Sequence, residues 1–148
     1  MSKKLPPIIL ASDHGGYELK ETIKKYLLDH DVTVEDIGTN TTDPIDFPDI
    51  VKRAVTRVLH HGTRAIFICG TGIGVSIAAN RYKRIRAALC HTEIYAQLAR
   101  QHNDANVLCL GGRFIDADTA LNITKIFLTT EFLGDKYLRR MQLVEKMG

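Results

Sequence analysis

Residues 64–80, reading RAIFICGTGIGVSIAAN, limit the folds open to this chain more than any other stretch. An apolar run ends at Cys69. Glycines then stand at alternate positions, Gly70, Gly72 and Gly74, before small residues resume at helical spacing. The pattern predicts a buried strand, a tight loop and the start of a helix. Glycine lets the backbone turn sharply and lets another molecule approach its N–H groups. The first helical turn adds unpaired N–H groups and the positive end of a dipole. Such a loop suits negative charge, and Cys69 stands at its lip, where a thiolate would be stabilised.

The same alternation runs through the rest of the chain. Apolar runs at residues 8–12, 32–37, 86–90 and 106–110 read as further strands. Between them, apolar residues recur at helical spacing: Leu19, Ile23 and Leu27; Val51, Ala54, Val55 and Val58; Ile94, Tyr95 and Leu98; Ala117, Ala120, Leu121 and Leu128. A last helix beyond Gly134 carries Lys136, Arg139, Arg140 and Lys146. Alternating strands and helices predict an α/β fold: a parallel sheet with helices on both faces, its strand carboxyl ends at one edge, where ligands bind. Asp13 and His14, the Cys69 loop, and Arg113 all follow strand ends. The polar segment 39–49, with Pro44 and Pro48, is a loop long enough to carry function.

The chain has 148 residues and reads as a single domain, 1–148, with no internal repeat or linker. Its 20 basic and 17 acidic side chains leave a net charge of +3, too balanced to argue for nucleic acid. Three cysteines without a C-x-x-C pair suggest free thiols and a cytoplasmic setting. The start, Met1-Ser2-Lys3-Lys4-Leu5, has no long apolar segment behind it, so neither a signal peptide nor a membrane span is expected. The glycine loop fits neither of two nucleotide fingerprints. It lacks the G-x-G-x-x-G spacing with an acidic residue ending the next strand, and it lacks the Gly-Lys-Ser/Thr of a Walker loop. The histidines offer no metal-ligand spacing.

Read singly, each feature has a plain structural explanation. The glycine loop is a tight turn, Asp13 a helix cap beside a surface histidine, His102-Asn103-Asp104 a helix end, and Lys136 with Arg140 a solvated basic face. Together they suit a small phosphorylated substrate. Ser12-Asp13-His14-Gly15-Gly16, the run from Cys69 to Asn80, and Arg100-Gln101-His102-Asn103-Asp104-Ala105-Asn106 also resemble the ribose-5-phosphate isomerase B family. That type B sugar-phosphate isomerase family includes galactose-6-phosphate and allose-6-phosphate isomerases. The likeness covers nearly the whole chain.

The resemblance implies a three-layer α/β/α sandwich on a five-stranded parallel, Rossmann-like sheet with an extra C-terminal helix, strand one lying between two and three. It implies an aldose–ketose isomerase of the non-oxidative pentose phosphate pathway, interconverting ribose 5-phosphate and ribulose 5-phosphate through an enediolate, with no metal and no organic cofactor. Cys69 matches the catalytic base, which must act as a thiolate. His102 matches the ring-opening acid/base, with Thr71 its hydroxyl partner. Amides of Gly70, Thr71, Gly72, Ile73 and Gly74 would hold the enediolate oxygen, with Asn103 in support. Asp13 would bind sugar hydroxyls. His14, Arg113, Lys136 and Arg140 match phosphate-binding positions. In the family the site lies between two subunits, so a homodimer with shared active sites is expected, alone or paired into a tetramer.

Two departures stand out. The family's usual Arg-His is Lys136-Tyr137 here, which keeps the charge but loses the bidentate fork. Its Asp-Tyr-Pro is Asp46-Phe47-Pro48, which keeps a ring and loses a phenol hydroxyl. The competing readings are an isomerase of a six-carbon phosphate, a non-catalytic sugar-phosphate sensor, and a flavodoxin-like nucleotide binder.

Overall fold

A computed structural model describes residues 6–148. The expectation about Met1-Ser2-Lys3-Lys4-Leu5 lies outside the described residues. Five strands, β1 (Ile8–Ser12), β2 (Val34–Gly38), β3 (Ala65–Cys69), β4 (Ala87–Leu89) and β5 (Val107–Gly111), form one sheet in the order β2-β1-β3-β5-β4. Every pairing is parallel. Strand one therefore lies between two and three, as the family resemblance implies. β2 starts two residues later than the apolar pattern suggests, and β4 keeps only three residues.

The helices are α1 (Tyr17–Asp29), α2 (Phe47–His61), α3 (Ile73–Ala79), α4 (Glu93–Asn103), α5 (Ala117–Thr129) and α6 (Lys136–Glu145). A one-turn 3-10 segment, His14–Gly16, links β1 to α1. The three central strands, β1, β3 and β5, are buried on both faces, which is why they read as continuous apolar runs rather than alternating ones. Ile9, Ala11, Phe67, Val107 and Cys109 face the stripe of α2, built by Ile50, Val51, Ala54, Val55 and Val58. Leu10, Ile66, Ile68, Leu108 and Leu110 face Leu19, Ile23, Leu27, Ala96, Ile123 and Phe127 of α1, α4 and α5. The result is the expected three layers, with α6 packed outside them against α4.

Two side-chain devices finish the sheet. At one edge, Lys20 is 0% exposed, and its Nζ lies 2.6 Å from Asp36 Oδ2. Asp36 Oδ1 accepts from the Gly38 N–H, which fixes the end of β2. Burial opposes the Asp36 charge most strongly. The hydrogen bonds from Lys20, Gly38 and Lys24 outweigh it and hold the carboxyl below its ordinary value. At the other edge, the Asn80 amide covers β4: its Oδ1 accepts from the Ala87 N–H at 2.8 Å, and its Nδ2 donates to the Ala87 carbonyl at 3.0 Å.

Candidate active site

Three strand ends meet to form a cradle. The Gly112 N–H donates to the Cys69 carbonyl at 2.8 Å, and the Arg113 N–H donates to the Gly70 carbonyl at 3.1 Å, so the turn after β5 is laced to the loop after β3. The Asp13 N–H donates to the Ile68 carbonyl, which brings in the turn after β1. The loops approach so closely that side chains are excluded. A Cβ on Gly16 would lie 2.5 Å from the Ile68 carbonyl oxygen. Gly72 has φ +79°, and a Cβ there would lie 2.5 Å from Leu89 Cδ1. Both a left-handed backbone and close approach therefore require glycine at that position.

Cys69 ends β3 inside this cradle and is 5% exposed. The Gly72 N–H donates to its Sγ at 3.2 Å. An amide aimed at sulfur stabilises negative charge there. The Ile73 N–H donates to Thr71 Oγ1 at 3.1 Å, so the Thr71 hydroxyl caps the start of α3. Among the described residues, the N–H groups of Gly70, Thr71 and Gly74 find no acceptor within the chain. They are available to an incoming oxygen, as a helix start requires of its first amides. The other two thiols sit differently: burial pushes Cys90 up to about 11 and Cys109 well above its ordinary value. Both stay protonated and serve as packing.

The rim of the cradle carries polar groups and one aromatic ring. Asp13 is buried, and its Oδ1 accepts from the Gly15 N–H at 2.9 Å, the capping role that its position predicts. His14 Nδ1 accepts from the Ile45 N–H at 3.2 Å and tethers the 39–46 segment to the site. The Arg113 guanidinium lies over Gly70, where Nη1 would be 3.2 Å from a Cβ. The Phe47 ring, at the start of α2, packs on Gly74. Neither the His14 tether nor the Phe47 contact is readable from sequence spacing, because each joins segments more than 25 residues apart.

His102, Asn103, Lys136 and Arg140 form a second group. The His102 ring stacks on Tyr137, with centroids 4.2 Å apart and planes 9° apart. Lys136 Nζ and Arg140 Cζ lie 5.3 and 5.7 Å from the same Tyr137 ring. Asn103 Nδ2 lies 3.9 Å from Met141 Sδ of α6.

These two groups occupy opposite edges of the sheet. Helix α4 runs back from the carboxyl end of β4, so its last turn lies where the strands begin. Two contacts pin it there: Arg86 Nε, just before β4, donates to the Asp104 carbonyl, and the Asn106 side chain, just before β5, accepts from the Arg86 N–H. A five-residue strand spans about 16 Å, so His102 cannot reach Cys69 of its own chain. The chain thus brings together Asp13, His14, Cys69, residues 70–74 and Arg113. It separately brings together His102, Asn103, Lys136 and Arg140. Between the groups, α3 and α4 flank the β4 edge with uncovered apolar side chains: Ile73 is 51% exposed, Ile77 62% and Tyr95 62%.

A cleft of about 660 Å³ lies at the strand-beginning edge and is lined by Arg64, Arg84, Arg86 and Arg100. Three of these four arginines are already committed. Arg100 serves Asp104 and the carbonyls of Ala105 and Thr130, Arg86 serves Glu145, and Arg64 serves the Phe127 carbonyl. They tie helix ends to strand beginnings. Among the described residues, no group of three or more His, Cys, Asp or Glu side chains is placed to hold a metal. Among the described residues, no helix is long and apolar enough to cross a membrane.

Known structures share this fold over nearly the whole chain. The crystal structure of a ribose 5-phosphate isomerase from Thermotoga maritima is 46% identical, with a TM-score of 0.93 over 95% of this chain and 98% of that one. The structure of ribose-5-phosphate isomerase B from Mycoplasma genitalium with bound ribulose-5-phosphate is 38% identical, with a TM-score of 0.90 over 95% of this chain and 94% of that one. Ribose-5-phosphate isomerase B of Escherichia coli is 36% identical over 138 residues, 93% of each chain. The family model described as Ribose/Galactose Isomerase matches residues 8–144. The chain belongs to the Ribose/Galactose Isomerase family.

Proposed function

We propose that the chain is an aldose–ketose isomerase that interconverts D-ribose 5-phosphate and D-ribulose 5-phosphate, with residues 1–148 forming one catalytic domain that works as a homodimer. The observation that carries this reading is the Gly72 N–H on Cys69 Sγ, within a cradle of free amides, in a member of this family. The bound ribulose-5-phosphate of the Mycoplasma genitalium relative supports the substrate class.

The chemistry divides between the two groups of residues. The sugar phosphate arrives as a closed ring. His102 of the partner subunit takes the proton of the anomeric hydroxyl while the bond from C1 to the ring oxygen breaks, and a proton passes to that oxygen, aided by the Thr71 hydroxyl. The Cys69 thiolate then takes the C2 proton. The electron pair moves to the C1 oxygen, which the N–H groups of Gly70, Thr71 and Gly74 hold as an enediolate, with Asn103 of the partner subunit in support. The thiol returns its proton to C1, and the C2 hydroxyl proton passes to the C1 oxygen as the ketone forms. Atoms and charge balance without a redox partner.

The phosphate lies between His14 and Arg113 of one chain and Lys136 and Arg140 of the partner subunit. The dimer reading is supported by the opposite-edge placement of the two groups and by the exposed apolar side chains of Ile73, Ile77 and Tyr95 on the α3–α4 face. Pairing of dimers into a tetramer is a further expectation. The work of such an enzyme is non-oxidative pentose phosphate conversion in the cytoplasm, with neither nucleic acid nor membrane as partner.

A coupled assay tests the reading. Ribose 5-phosphate should turn over, and a six-carbon aldose 6-phosphate should turn over more slowly, because the 39–46 segment closes one side of the cradle. The Cys69→Ala protein should lose roughly a thousandfold or more in kcat while still binding ribulose 5-phosphate. Faster turnover of the six-carbon sugar would reassign the substrate, and an active Cys69→Ala protein would remove the sulfur from the chemistry.

A further inference from the structure

On the reading above, the ring-opening group must hold a fixed plane while keeping its nitrogens free. Among the described residues, neither ring nitrogen of His102 makes a hydrogen bond within the chain. Most working histidines are fixed by a hydrogen bond to one nitrogen. This one is held by its face: the Tyr137 ring lies 9° from parallel at 4.2 Å. Stacking restrains tilt and leaves the ring edge, with both nitrogens, open. Tyr137 is placed for this by its own helix. Gly134 (φ +74°) and Asp135 (φ +51°) turn the chain sharply into α6, and Tyr137 is the second residue of that helix. The Leu133 N–H donates to the Gln101 carbonyl at 3.1 Å, which ties this turn to the last turn of α4.

We infer that Tyr137 is a positioning residue for ring opening, fixing the plane of the His102 imidazole through stacking. The inference rests on the proposed isomerase reading. The phenol hydroxyl makes no hydrogen bond among the described residues, so the ring face does the work and the oxygen is dispensable. Lys136 and Arg140 flank the same ring at 5.3 and 5.7 Å. On the proposed reading these two cations serve the phosphate, and the imidazole is left to the Tyr137 ring.

The experiment compares two substrates. Ribose 5-phosphate closes its ring through the C4 hydroxyl, so its 4-deoxy analogue stays open and needs no ring opening. Tyr137→Leu and Tyr137→Met should lower kcat on ribose 5-phosphate by about tenfold or more, leave KM nearly unchanged, and leave turnover of the 4-deoxy analogue at the wild-type level. Tyr137→Phe should match wild type on both. Wild-type rates for Tyr137→Leu and Tyr137→Met on ribose 5-phosphate would overturn the inference. So would equal losses on both substrates, which would mean damage to the fold or the phosphate site, or a Tyr137→Phe protein as impaired as Tyr137→Leu. Failure of the isomerase reading looks different: the wild-type protein would turn over neither substrate.

Discussion

Around Cys69 the contacts are made by main chain; around His102 they are made by side chains. The cradle is closed by amide-to-carbonyl bonds between three loops and by glycines too crowded to accept a Cβ. The other half is a stacked pair of rings, two cations and an amide on helices whose outer surface is exposed. The first half can stabilise developing charge at once, because its dipoles are fixed before substrate arrives. The second can adapt to sugar and phosphate, and on the proposed dimer reading it acts on the cradle of another copy. Precision and adaptability are thus kept at opposite edges of one sheet, and the proposed association would unite them.

The widest effect expected from this contrast is complementation. Cys69→Ala and His102→Ala proteins should each be nearly inactive, having lost one half of every site. Mixed after unfolding and refolding together, half of the dimers become hybrid, and one of the two sites in each hybrid is intact. About one quarter of wild-type activity should return. No recovery would mean that both halves serve the same chain, against the strand-length argument.

Next in size is a pair of glycine substitutions. Gly72 and Gly134 both have left-handed backbones, but a Cβ on Gly134 would meet nothing within 4 Å. Gly134→Ala should cost about 1–2 kcal/mol for backbone alone. Gly72→Ala should add roughly 1–3 kcal/mol for overpacking against Leu89 and the Leu110–Gly111 backbone. Thermal denaturation of the two proteins measures the gap, and equal losses would show the cradle to be more yielding than its contacts imply.

The smallest effect is acid loosening of the β2 edge, a wall of the sheet that Lys20 and Asp36 hold. The folded carboxyl of Asp36 titrates below the ordinary aspartate value of about 4. Its contribution to stability is therefore complete above that value and is lost as pH falls through the folded value. A carbon-detected titration should place Asp36 below about 4, with exchange protection of the Gly38 amide lost in the same step. A midpoint at or above the ordinary value would remove this wall from the account.

The sheet and its helices were legible because burial on both faces leaves continuous apolar runs, and because α2 carries a clean apolar stripe. The cradle was legible through Gly70, Gly72 and Gly74, whose spacing has few other uses beside a cysteine. The division of the site was legible only through family resemblance, since nothing in the run His102-Asn103-Asp104 says which sheet edge it occupies. The buried Lys20, the His14–Ile45 tether and the stack of His102 on Tyr137 were not legible. Each depends on where a side chain ends after distant segments have packed, and local periodicity carries no record of that. Tyr137 entered the sequence reading only as a lost histidine, and its role came from the ring beside it.

Asn80 has a consequence for how copies can join. An outermost strand normally advertises bare amide and carbonyl groups that a neighbouring molecule can zip onto. Here one carboxamide occupies both groups of Ala87, in a strand of only three residues. Continuation of the sheet from one molecule into the next is blunted at that margin. The proposed association would then fall to the greasy helical flanks on either side of it, and would close as a pair rather than run on as a fibre.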